Sequence, residues 1–147
     1  MSAVAAPVAD DAIGARAVSP ALKTFLALDF GLKRTGVAVG NRVLRSAQPQ
    51  GSIHAEGDVR FAKVAALLVE WQPDALVIGV PFHPDGAEHE NTVRARRFGR
   101  QLAGRFNLPV FEVDERYSTT EALSMGAKDA DAGAACIILE QFLRSLD

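Results

Sequence analysis

Apolar positions along this chain change period several times, and the changes mark out its elements. Thr24 to Phe30 (TFLALDF) is a near-continuous apolar run, the pattern of a central strand covered on both faces. Thr35 to Gly40 (TGVAVG) and a more polar stretch from Val43 to Ile53 follow at short spacing. The Gly40-Asn41 pair between them is a turn signal, so the three segments predict an antiparallel meander. Pro49 puts the third strand at an edge or interrupts it, because proline cannot donate to a ladder. The period then becomes helical: Phe61, Val64, Ala65, Leu68 and Trp71 share one stripe, with Asp58 as the expected N-cap and Pro73 just past the end. Ala75 to Val80 (ALVIGV) reads as a buried strand stopped by Pro81, and Pro84-Asp85-Gly86 as a turn in the loop that follows.

Ala95, Phe98, Leu102 and Phe106 mark the buried face of a second helix, and PVFEV (109–113) a fifth strand. Ser118 and Glu121 fit a capping box for a short helix, and Ala134 to Leu146 an apolar-striped closing helix. Strand–helix–strand connections pair strands in parallel by right-handed crossover. The first, fourth and fifth strands should therefore end on one edge, where open α/β sheets bind ligands.

With 147 residues, 48% of them hydrophobic and 23% charged, the chain has the size and composition of one ordinary globular domain. No apolar run approaches the roughly 20 residues of a membrane span. A single cysteine, Cys136, offers no internal disulfide and reads as a small core residue. Residues 1–22 read as a flexible tail without the basic and apolar regions of a signal peptide, which leaves the cytoplasm as the expected compartment. A net charge of −2 excludes binding nucleic acid by bulk charge alone, but not through a local basic path.

The chemistry concentrates where strands end. Asp29 closes the first strand in DFGLKRTG, where a carboxylate is costly unless solvated, hydrogen-bonded or metal-bound. Gly31 and Gly36 leave room for a close turn, and Lys33 and Arg34 add positive charge. A turn residue capping loop amides would explain Asp29 as well. The fifth strand runs into DERYSTTEA, so Asp114, Glu115 and Arg116 should emerge on the same edge; a surface ion pair is the competing explanation. Asp131 precedes the last helix, where capping explains it from residue type alone, and Asp129 is its rival for either role. Together, Asp29, Glu115 and Asp131 make a hard-oxygen set that selects Mg²⁺ or Mn²⁺, and two such ions could drive phosphodiester hydrolysis.

Among the other candidates, His83 and His89 flank a turn without a usual zinc spacing. No GxxxxGK[ST] loop and no Ser or Cys nucleophile motif is present. Arg94, Arg96, Arg97, Arg100 and Arg105 make the second helix basic. Arg96 and Arg100, four apart, share a face that suits a phosphate track or a solvated surface equally.

DFGLKRTGVAVG, LVIGVPFHPDG, PVFEVDERYSTTEA and DAGAACIILEQFL resemble the four motif blocks of the YqgF (RuvX) family. The resemblance spans about residues 24–146. It implies an RNase H-like nuclease domain over 23–147, an α/β mixed sheet of three antiparallel strands followed by parallel strands, flanked by helices. Family members are bacterial proteins assigned to Holliday junction resolution or to maturation of the 5′ end of precursor 16S ribosomal RNA. Carried over by motif, the strand-one aspartate is Asp29, the glutamate of the DER block Glu115, and the aspartate opening the final helix Asp131. These would be the catalytic and metal-binding residues, with Lys33, Arg34, Arg96, Arg100 and Arg116 on substrate. The expected activity is a metal-dependent endonuclease acting on structured RNA or pre-ribosomal particles, as a monomer or weak homodimer. Cleavage of branched DNA uses the same site. A non-catalytic ribosome-associated module would keep the fold, and an actin-like ATPase would need a second domain to close on nucleotide.

Overall fold

The computed structural model describes residues 18–115 and 129–146. Strands β1 (Thr24–Phe30), β2 (Thr35–Asn41), β3 (Ala47–Ile53), β4 (Ala75–Val80) and β5 (Val110–Asp114) form a single sheet in the order β3-β2-β1-β4-β5. β1 pairs antiparallel with β2 and β2 with β3, whereas β1, β4 and β5 are parallel. Helices α1 (Gly57–Trp71) and α2 (Glu90–Phe106) connect β3 to β4 and β4 to β5, and α3 (Ala130–Arg144) follows β5. This is the mixed RNase H-like sheet expected from the sequence.

The alternation of side chains along each strand divides the core into two layers. Leu26, Leu28, Leu76, Ile78 and Val110 pack with Phe61, Val64, Phe98 and Leu102 beneath α1 and α2. Phe25, Ala27, Val77, Phe111 and Val113 pack with Ile138, Leu139, Phe142 and Leu143 of α3. Phe142 meets Phe25 edge-on at 5.1 Å between ring centroids, which ties α3 across the sheet centre. Val18 is buried in this second layer and Leu22 packs against it, so part of the segment expected to be a tail belongs to the folded body.

Several boundaries move from their sequence expectation. The β2–β3 turn is longer than Gly40-Asn41: the Asn41 side chain accepts from the Leu44 amide and Arg45 takes a left-handed conformation (φ 56°), so β3 starts at Ala47 instead of Val43. The α1 N-cap is Glu56, without a side-chain cap bond, and not Asp58, which lies in the first turn and pairs with Arg105 at 3.2 Å. Helix α3 starts four residues ahead of Ala134, because Asp129 caps it. The Ser118–Glu121 capping box and Arg116 lie outside the described residues.

Candidate active site

Asp29 is the last but one residue of β1 and points to the α3 side of the sheet, in step with Phe25 and Ala27. Its lateral neighbours are both glycine. Gly36 is its partner on β2, and Gly79 on β4 lies one residue beyond the Leu28–Ile78 pair. The two glycines make room for different things. A Cβ on Gly36 would run into the Asp131 backbone and stand 2.9 Å from the Ala132 nitrogen, so the start of α3 rests directly on β2. At Gly79 a Cβ would run into Ile138 Cδ1 and stand 2.8 Å from Glu115 Cδ and 2.9 Å from its Oε2, so Ile138 and the Glu115 carboxyl together occupy the space a side chain would fill.

Glu115 continues β5 by one residue, its amide donating to the Val80 carbonyl at 3.2 Å. It is only 8% exposed. Asp29 and Glu115 share a side-chain hydrogen bond across β4. Burial raises the Asp29 pKa to about 6; the bond to Glu115 opposes the rise and the nearby Asp131 charge adds to it.

The α3 terminus answers which aspartate caps the helix. Asp129 accepts from the Asp131 amide at 3.0 Å and the Ala132 amide at 3.1 Å. Burial pulls the Asp129 pKa up, but the bonds from Ala132, Ser52 and Asp131 and the charge of His54 outweigh it, so the net shift is downward. Asp131 therefore stands in the first turn with its side chain released from capping. The Ser52 hydroxyl lies 2.8 Å from both Asp129 oxygens and 3.3 Å from Asp131 Oδ2, and Arg34 Nε lies 3.1 Å from that same Oδ2. Among the described residues, no three His, Cys, Asp or Glu side chains already form a metal-gripping cluster. Two carboxyls converge, and the third faces a guanidinium. The donors fit a hard divalent cation in kind: all three are carboxylates, and Arg34 beside Asp131 supplies positive charge that such an ion would also supply.

Lys33 and Arg34 sit on the β1–β2 turn, and with Gly31, Leu32 and the Asp131 carboxylate they line a depression of about 380 Å³. The α2 arginines lie on the other side of the sheet. Arg96 bonds Glu88 at 2.7 Å and the buried Glu112 at 3.3 Å, and it stacks on Phe82. Arg100 is exposed. Asp114 is exposed at the end of β5, on the α2 side of the sheet. His89 caps α2, its Nδ1 accepting from the Asn91 amide, with the His83 ring against it at 4.7 Å; this gives the histidine pair a structural role. Ser52 and Gly79 were not singled out in the sequence. A lone glycine inside ALVIGV is a signal of close approach, whereas nothing in a polar edge strand distinguishes Ser52.

The model of the family described as "RuvX: Holliday junction resolvase" matches residues 23–145. A protein of Albidiferax ferrireducens named "Putative pre-16S rRNA nuclease" is 76% identical over 142 residues, covering 95% of this chain and 91% of that one. Proteins of the same name from Polaromonas sp. and Paraburkholderia phymatum are 69% and 54% identical, over 85% and 84% of this chain and 91% and 86% of their own. Among solved structures, T. thermophilus RuvC in complex with a Holliday junction substrate superposes with a TM-score of 0.54 at 16% identity, over 84% of this chain and 95% of that one, a likeness of fold alone. On the family match and the identities together, the chain belongs to the RuvX family.

Proposed function

We propose that this protein is a cytoplasmic, Mg²⁺- or Mn²⁺-dependent endonuclease that trims the 5′ end of precursor 16S ribosomal RNA. The observation that carries the reading is the Asp29–Glu115 pair: two carboxyls on strands either side of β4, joined by a hydrogen bond over Gly79, with Asp131 charged nearby. Buried like-charged groups with raised proton affinity are costly to a fold and common where a cation or a reacting proton is handled. Family membership and the names of the relatives support the nuclease class and its RNA substrate.

In this reading Asp29, Glu115 and Asp131 hold the ions. When bound, divalent ions supply the water activation and charge neutralisation that in-line displacement at phosphorus needs. The chain's own residues do the rest. Lys33 and Arg34, on the rim of the carboxylate depression, orient the scissile phosphate and offset its charge. Arg34 exchanges Asp131 for phosphate as substrate arrives. Arg100 and Arg116 are further candidates for backbone contact, and Arg96 would have to leave Glu88 or Glu112 to join them. Products carry a 3′-hydroxyl and a 5′-phosphate.

The family description favours a second substrate, branched DNA. One comparison separates the two: the purified chain, with Mg²⁺, Mn²⁺ or EDTA, is offered a 16S precursor and a four-way DNA junction. Metal-dependent cleavage of the precursor, absent in Asp29→Asn, is the expected result. Preference for the junction would transfer the function to DNA. Full activity in EDTA, or a 2′,3′-cyclic phosphate product, would overturn the mechanism.

A further inference from the structure

On the opposite layer of the sheet from the carboxylates, a groove of about 280 Å³ opens between the start of α1 and the middle of α2. Its floor is Phe30 and Phe98, and its walls carry Arg60, Arg94 and Arg97, with Glu56 the one acidic lining residue; Arg94 also reaches the exposed Glu90 at 3.7 Å and donates to Asn91, a surface pairing that a phosphate can displace. Arg60 is 4% exposed, yet no carboxylate of a described residue lies within ion-pair distance of it. Its guanidinium stacks 4.6 Å above the Phe30 ring and donates to the Ala55 and Leu32 carbonyls. Arg97 is exposed and has no ion pair among the described residues. The N-terminus of α1 lines the same groove without a side-chain cap bond, leaving amide donors for another partner. Buried positive charge that makes no direct ion pair and has only Glu56 nearby to offset it, an arginine without an ion pair among the described residues, and uncapped amides converge on one place, and together they favour an anion there.

Chain continuity connects the groove to the site. Phe30 and Leu32 line it, Asp29 precedes Phe30, and Lys33 and Arg34 follow Leu32 on the turn that rims the carboxylate depression. A strand crossing this turn passes from one layer to the other. Leu32 is 54% exposed at the crossing, an apolar surface for a base.

We propose that the Arg94–Arg97 groove is a phosphate subsite for a single nucleic-acid strand, which runs from the carboxylates over the Gly31–Arg34 turn and down between α1 and α2. The assignment deepens the nuclease reading and rests on the chain acting on nucleic acid. It places the strand on the helical face of Arg94 and Arg97, not on that of Arg96 and Arg100.

Equilibrium binding of labelled single-stranded RNA and DNA to the full chain in EDTA, followed by anisotropy across a salt series, tests the groove apart from cleavage. Losing two phosphate contacts removes about 1.4 from the slope of log K against log salt for a single strand, so Arg94→Ala/Arg97→Ala should flatten the slope by that order and weaken binding about ten-fold. Arg94→Lys/Arg97→Lys should restore most of the slope, and Arg144→Ala, at the far end of α3, should leave it unchanged. RNA and DNA should respond alike, because the backbone charge is common to both. An unchanged slope in the double alanine variant, an equal loss in Arg144→Ala, or a loss confined to RNA would each overturn the subsite. A chain that binds with this arginine dependence but cuts nothing would refute the nuclease reading and leave the groove assignment standing.

Discussion

Asp29 holds its proton more tightly in the fold than an ordinary aspartate does, and the direction of that shift fixes a pH signature. With the folded value raised to about 6 from 3.8, the stability tied to the bound proton is present below the unfolded pKa and lost as pH rises through about 6. In metal-free buffer the wild-type melting temperature should therefore fall between about pH 4 and pH 6, whereas Asp29→Asn should be flatter over that window. The linked free energy is on the order of 1–3 kcal/mol, given that one pKa unit corresponds to about 1.4 kcal/mol. Identical pH profiles for the two chains would mean that burial does not strain this carboxyl. The glycines beside Asp29 give a second residue-level test. Gly79→Ala forces against the ends of the Ile138 and Glu115 side chains, both of which can shift, so stability should drop by roughly 1–3 kcal/mol while activity falls on the order of a hundredfold through misplacement. Gly36→Ala meets the Asp131 backbone instead, which cannot yield without moving α3, and should destabilise the fold more than Gly79→Ala. Thermal melts and cleavage rates of the two variants give the comparison.

At the scale of elements, the strands were legible because their burial is nearly uniform: TFLALDF and ALVIGV are apolar on both faces because helices cover both. Parallel pairing of the first, fourth and fifth strands followed from the intervening helices alone. Less legible were features set by side chains reaching backbone. Asn41 lengthened the β2–β3 turn, and two aspartates two residues apart competed for the α3 cap until geometry gave it to Asp129. The basic character of α2 was plain in sequence, but not the neighbours each arginine would find. Glu112, hidden inside PVFEV on the α2 side of β5, claims Arg96 from 16 residues away. This yields a prediction about the helix. Arg96→Ala removes a cation from beside a carboxylate that is only 7% exposed, and should cost about 1–3 kcal/mol in denaturant unfolding. Arg100→Ala, on an exposed position, should stay within about 0.5 kcal/mol. Equal and small effects would return Arg96 to the solvated surface.

Across the whole molecule, net charge is close to neutral, yet its distribution is not: carboxyls gather on the α3 side of one sheet edge while arginines line the turn and the α1–α2 side. Repulsion within the acidic group is eased in the fold by Arg34 at Asp131, and a divalent ion would relieve it more completely. Mg²⁺ or Mn²⁺ that binds the folded chain alone must then stabilise it by mass action, by about 2.7 kcal/mol at a hundredfold excess over Kd, a rise of several degrees in Tm. Asp29→Asn should lose that gain. Arg34→Ala should keep or enlarge it, because the guanidinium beside Asp131 competes with the ion, while cleavage slows because the scissile phosphate loses a positioning cation. Separating the two readouts distinguishes residues that hold the ion from those that hold the phosphate. A metal-induced Tm shift in Asp29→Asn equal to that of the wild type would place the ion elsewhere on the molecule.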